Sequence, residues 1–197
     1  MTSETDNARY DGVAILVHWL TAAAVLCLFV MGTTMTSLRP GSALQFQLYQ
    51  MHKSVGITVL GLTVLRVLWR LGHRPPPLPQ TMPLWERRAA QAGHLLLYVA
   101  LIGLPLLGWA TVSASPLNLP TLLYGVIPWP HLPILSTLPD KAPVAKALAA
   151  LHDAGAWALL VLLAVHVGAA MRHHMVLHDA VLRRMLPRFG SGDRGRG

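Results

Sequence analysis

Five histidines lie inside apolar stretches of this chain: His18, His52, His94, His152 and His166. An ionisable side chain is costly in such a setting and as a rule faces an interior or a cavity, where it has work to do. The last two share one run, residues 150–174, and stand fourteen positions apart. On an α-helix that is a rise of roughly 21 Å and close to four turns, so both imidazoles leave nearly the same face at two depths. Imidazole is a base, a hydrogen-bond partner and a metal ligand. One helix offering two stacked imidazoles to one interior points to two stacked cofactors, whose other ligands must come from elsewhere in the chain.

The elements that would position these side chains follow from composition. Of the 197 residues, 53% are hydrophobic and 12% charged, well outside a globular mix, and the apolar residues come in long blocks. This is a polytopic membrane protein, with spans expected at about 13–36, 48–70, 90–112 and 148–172. The start, MTSETDNARYDG, has no basic n-region and no small-residue cleavage site, so the first span reads as retained. Twelve of the sixteen Lys and Arg residues fall in the two tails or around the middle loop. Only Arg39, Lys53, Lys141 and Lys146 flank the other two loops. That asymmetry places both termini and the middle loop in the cytoplasm and argues against nucleic acid as the reason for the net charge of +8. The single cysteine, Cys27, rules out an intrachain disulfide and a Cys-held iron–sulfur cluster, and reads as a buried thiol.

The expected architecture is all-α, a four-helix bundle in the membrane with side chains converging on a shared core. Residues 1–12 form a cytoplasmic tail, 13–182 the four-span domain and 183–197 a basic tail. Gly56 and Gly61 suit close packing of a helix or a flat ring, and Pro105 allows a kink in span III. The proline-rich loop 113–147 is expected to be an irregular or short-helical cap on the outer surface. Span IV is expected to run on as an amphipathic helix through His178 to Met185.

Hairpin order sets the depths. His52 and His152 begin their spans from outside and define an outer level; His18 and His94 begin theirs from the cytoplasm and, with His166, define an inner one. Axial ligation of a haem needs two imidazoles at one level on different helices. His52 with His152 meets that requirement, and at the inner level His166 pairs with His18 or His94. Bis-histidine ligation leaves no open position, so such haems carry electrons and bind no gas. Arg9, Arg66 and Arg70 could pair with haem propionates at the inner end. His73 and His131 lie in loops, where solvent exposure is expected. His173, His174 and His178 form either a surface cluster or a proton-handling site beside a quinone.

The segments RYDGVAILVHWLTA, QMHKSVGITVLGLTVLRVLWRL with its following PPP, GHLLLYVALIGLPLLGW and LHDAGAWALLVLLAVHVGAAMRHH together resemble the bacterial cytochrome b561 family, inner-membrane proteins of four spans with two b haems. The resemblance spans about Arg9 to Pro187, and within the family it leans toward members that oxidise superoxide. It implies His18 with His166 as ligands of the inner haem iron and His52 with His152 of the outer, and leaves His94 as a non-ligand beside the inner haem. It further implies oxidation of superoxide to dioxygen at the outer face, with electrons passing to ubiquinone, and His173 near the quinone and its protons.

Superoxide is an anion, and the outer surface carries Arg39, Lys53, Lys141 and Lys146 against Asp140 and Asp153. Such a field raises anion encounter rates, which makes Lys53 a candidate for the substrate side. A different class of function fits the same pattern: a cytochrome subunit relaying electrons between the quinol pool and a partner dehydrogenase or hydrogenase. A proton or metal transporter using the histidines is a third, and it would show no haem spectrum.

Overall fold

In the computed structural model, described for residues 9–73, 75–78 and 82–187, four helices are long and apolar enough to cross a membrane. They are α1 (Gly12–Ser37), α2 (Ala43–Gly72), α3 (Leu84–Ser113) and α5 (Ala142–Met175). Most of the N-terminal tail, Arg74 and the basic stretch from Arg188 lie outside the described residues.

Each helix outruns its expected span because polar termini continue it past the apolar core. Asp11 caps α1 by accepting from the Ala14 amide at 2.9 Å, and Ser42 caps α2 by accepting from Gln45. Such caps satisfy amides that the first turn leaves without partners. The second cap shortens the first outer loop, because α2 begins at Ala43 rather than near Leu48. The helix α3 passes through Pro105 without a break.

The backbones pack closest as α1 on α2 and α3 on α5, with α2 against α3. Between the pairs, Val25, Val59 and Leu159 form a buried apolar cluster, joined by Leu97, Leu101, Leu104 and others. Leu65, Leu68, Leu95, Val99 and Val161 point outward, as hydrocarbon-facing side chains do. Cys27 is among the outward residues, not in the interior. Neither Gly56 nor Gly61 packs against a helix, since nothing lies within 4 Å of where a Cβ would stand. Close approach occurs instead at Gly155, whose added Cβ would come within 2.6 Å of Leu104.

The outer loop is more ordered than an irregular cap. Strands β1 (Thr121–Leu123) and β2 (Ile127–Trp129) pair antiparallel, followed by the single-turn helix α4 (Pro133–Ser136). The three-residue loop between the strands has positive φ at Tyr124 (53°) and Gly125 (76°), and the Val126 amide bonds back to Leu123 O. A tyrosine in that conformation is strained unless its surroundings hold it. They do: its amide donates to Ser54 Oγ at 2.9 Å and its hydroxyl meets Thr58 Oγ1 at 2.6 Å. Gln50 and Lys53, one turn earlier on α2, bond to Pro120 O and Thr121 Oγ1. On the other side Trp109 donates to Pro130 O and Ser113 Oγ accepts from the Leu132 amide. The cap is therefore clamped to the outer ends of α2 and α3.

At the inner end α5 stops at Met175, so the expected helical continuation to Met185 is absent. The chain turns at His178 (φ 53°), the Asp179 amide bonds back to His173 O, and a 3-10 turn forms at Arg183–Met185. This segment crosses the mouth of the bundle. Trp19 Nε1 donates to Met185 O at 2.8 Å, Arg9 to Leu186 O, and buried Arg184 to Pro77 O at 2.6 Å.

Candidate functional site

The interior of the bundle is laid out in steps of seven residues. His18, Val25 and Gly32 lie along α1, and His52, Val59 and Arg66 along α2. His94, Leu101 and Gly108 lie along α3, and His152, Leu159, His166 and His173 along α5. A seven-residue step is two turns and keeps a residue on one seam of a left-handed bundle. None of the thirteen is fully exposed. Antiparallel order stacks them into layers, with the apolar cluster in the middle, His18, Arg66, His94 and His166 inside, and Gly32, His52, Gly108 and His152 outside.

The outer layer brings His52 and His152 together, ring centroids 6.2 Å apart at 74°. The inner layer brings three imidazoles together: His166 lies 6.4 Å from His18 and 5.6 Å from His94. A metal held between two imidazoles by bonds of about 2 Å sets ring centroids roughly 6 Å apart, so the outer pair and both inner pairings fit an axially ligated ring. Among the described residues no group of three His, Cys, Asp or Glu side chains is arranged to hold a bare metal ion. The donor set suits a flat macrocycle that brings its own equatorial ligands.

The neighbours of these rings differ between levels. His152 Nδ1 donates to the Leu104 carbonyl at 3.0 Å, which leaves Nε2 as the ring's lone pair. A hydrogen bond of that kind orients a ligating imidazole. The buried Nδ1 of His52 has no hydrogen-bond partner among the described residues. At the inner level Arg66 Nη1 contacts His18 Nδ1 at 3.0 Å and lies 5.8 Å from the Tyr98 ring centre. Arg70 is exposed on the inner end of α2, one turn beyond Arg66.

Below the inner layer, His173 is buried (7% exposed) rather than part of a surface cluster; His174 and His178 are exposed. Asp179 bonds His173 Nδ1, Glu86 lies 3.6 Å from its Nε2, and Arg172 pairs with Glu86. His73 is exposed and stacks on Trp69 at 4.0 Å. His131, expected to be solvated, is half-buried in the cap, with its Nδ1 unpartnered. Lys53 is half-buried under the hairpin. Glu86, Asp179, Gly32 and Gly108 are absent from the sequence-derived candidates, although two steps of seven lead from His18 to Gly32 and from His94 to Gly108.

Four spans that present imidazoles in pairs at two depths of one interior make a membrane electron-carrier bundle of the b-cytochrome type. A family model described as prokaryotic cytochrome b561 matches residues 9–188. The chain is 35% identical over 186 residues to cytochrome b561 homolog 2 of Escherichia coli (strain K12), covering 93% of this chain and 94% of that one. It is 27% identical over 180 residues to homolog 1 of the same organism, covering 91% and 98%. A probable superoxide oxidase CybB of Yersinia pestis is 30% identical over 187 residues, covering 92% and 98%. The chain belongs to the prokaryotic cytochrome b561 family. Membership makes it a membrane electron-transfer protein that binds haem b.

Proposed function

We propose that the protein oxidises superoxide to dioxygen at the face carrying the hairpin cap and delivers the electrons, through two haem levels, to ubiquinone at the opposite face. The observation that carries this reading is the pairing of imidazoles about 6 Å apart at two depths of one bundle. The name of the Yersinia pestis relative supports the choice of superoxide. Two superoxide anions, one quinone and two protons give two dioxygen molecules and one quinol, so electrons and charge balance.

In this reading His52 and His152 hold the outer haem, and His18 and His166 the inner. When bound, each haem would supply a one-electron carrier. His94 stands beside the inner pair, and Arg66 and Arg70 face the propionates. Arg66 can only donate, so its contact with His18 Nδ1 puts the ring hydrogen on Nε2. Ligation by His18 therefore requires Arg66 to turn to a carboxylate, which a propionate provides. His173, between Asp179 and Glu86, is placed to pass protons to the quinone. Both termini lie in the cytoplasm, as the Arg-rich inner ends of α2, α3 and α5 argue.

The test uses the purified full chain. Haem quantitation and a reduced-minus-oxidised spectrum should give two haems per chain, and His152→Ala and His166→Ala should each remove a different one. The chain alone should then reduce a soluble ubiquinone analogue when supplied with superoxide. A haem-loaded chain that passes electrons only with a bound partner protein would instead be a relay subunit, and a colourless chain would end the reading altogether.

A further inference from the structure

We propose that Gly108 is a positioning residue for His152, opening the Leu104 carbonyl that fixes the imidazole facing it. The inference rests on the reading that His52 and His152 ligate a haem, and it concerns how this chain orients His152.

In an α-helix the carbonyl of residue i already accepts from the amide of residue i+4. Its second lone pair points to the helix surface, where the side chain of residue i+4 restricts lateral access. Leu104 and Gly108 on α3 are such a pair, four residues apart, and so are Leu28 and Gly32 on α1. With no Cβ at 108, the His152 ring lies flat over the gap, and its Nδ1 reaches the Leu104 carbonyl at 3.0 Å. A Cβ at that position would stand 3.2 Å from His152 Cε1 and 3.5 Å from Nδ1. The first distance is closer than a Cβ normally tolerates, so the ring would have to yield. On the other side an added Cβ at 32 would meet His52 Cε1 at 3.5 Å, but the buried His52 Nδ1 has no hydrogen-bond partner among the described residues, so the cradle is not repeated there. That contact is ordinary van der Waals distance, so the two sites differ in tightness by a measurable margin.

The hydrogen-bonded cradle thus serves one of the two histidines of the outer level, His152. The inner level has no counterpart, because the matching positions there are His18, His94 and Arg66. The chemical consequence concerns the tautomer. A hydrogen bond from Nδ1–H to a carbonyl leaves Nε2 free to ligate, raises its basicity and holds the ring plane. A more basic axial ligand favours the oxidised iron, so losing the bond raises the outer midpoint potential.

The experiment is a redox titration of the holoprotein followed at the haem absorption bands, with electron paramagnetic resonance of the oxidised form. Gly108→Ala should raise the midpoint of the outer component and shift its low-spin signal, because the 74° angle between the His52 and His152 rings changes. The inner component should stay put. Gly32→Ala, which meets His52 at van der Waals distance and breaks no bond, should leave the midpoint close to wild type, and Gly72→Ala, at the end of α2 with open space around it, should change neither component. Equal shifts of both components, or none in Gly108→Ala, would overturn the proposal. If Gly108→Ala fails to assemble, nitrogen NMR of 15N-histidine-labelled reduced wild type decides instead. His152 should show a slowly exchanging, hydrogen-bonded Nδ1–H, and a freely exchanging one would refute the cradle. Failure of the ligand reading looks different, since His152→Ala would then retain two haems.

Discussion

Asp11 shows how one residue at the membrane boundary joins two helices. Its carboxylate caps α1 through the Ala14 amide and accepts from Trp69 Nε1, on α2, at 3.1 Å to each oxygen. Burial works to raise its pKa, but the Ala14 and Trp69 hydrogen bonds and the nearby His73 hold it below the ordinary 3.8. A depressed folded pKa means stability that is present above the unfolded value and lost as pH falls through the folded one. Asp11→Ala should therefore cost about 1 kcal/mol at neutral pH, the usual worth of an N-cap, and Asp11→Asn less, because Asn also caps. The difference should persist down to about pH 4 and shrink only at a pH well below that, as the carboxylate protonates in the folded state. Thermal unfolding monitored by loss of the Soret band at neutral pH and in strong acid checks this, and a difference undiminished in strong acid would show that the charge is not what Asp11 contributes.

At the scale of elements, the outer cap is a graft on a transmembrane helix. Gln50, Lys53, Ser54 and Thr58 form a polar stripe on α2 at helical spacing, and every member touches the hairpin. Ser54 is the keystone: it is 1% exposed, donates to Gln50 O and accepts the amide of the strained Tyr124. Ser54→Ala leaves that buried amide without a partner, which costs roughly 1–3 kcal/mol. The expected result is proteolytic nicking near Tyr124–Gly125 in the variant under conditions where the wild type resists. Cleavage at the wild-type rate would mean that the Thr58 contact suffices.

The same cap marks the boundary of what was legible. Long apolar blocks carry the spans, and fourteen residues between His152 and His166 carry the two levels, because helical periodicity is a local property. The hairpin was not legible: Leu122, Pro128 and their neighbours show no alternation, and a two-stranded ribbon owes its existence to α2, some 70 residues away in sequence. The fold-back after Met175 was missed for a related reason. Its bonds run to Trp19, Arg9 and Pro77, and nothing in residues 176–187 announces those partners. The glycines of the outer layer were legible in principle, since His18 to Gly32 and His94 to Gly108 are both two steps of seven. A glycine carries no chemistry of its own, so it draws attention only once the histidine facing it is known.

For the whole molecule, charge is arranged across the membrane, and an anionic substrate would feel it. The outer face holds Arg39, Lys53, Lys141 and Lys146 against Asp140 and Asp153. These cations are not equivalent in the folded protein. Lys146 and Arg39 are exposed, where solvent and salt screen them within about 8–10 Å. Lys53 follows His52 directly in the chain, is half-buried, and is held by Thr121 beneath the hairpin. A charge in that setting is screened less and sits where electrons would enter. Lys53→Gln should therefore slow superoxide-driven haem reduction more than Lys141→Gln or Lys146→Gln. The triple variant should lose on the order of tenfold at low ionic strength and show a flatter dependence on salt, because the field that salt screens has been removed. Stopped-flow reduction at several ionic strengths measures both quantities. A triple variant with an unaltered rate at every salt concentration would mean that superoxide reaches the outer level by unsteered diffusion, and that Lys53 serves to fasten the cap.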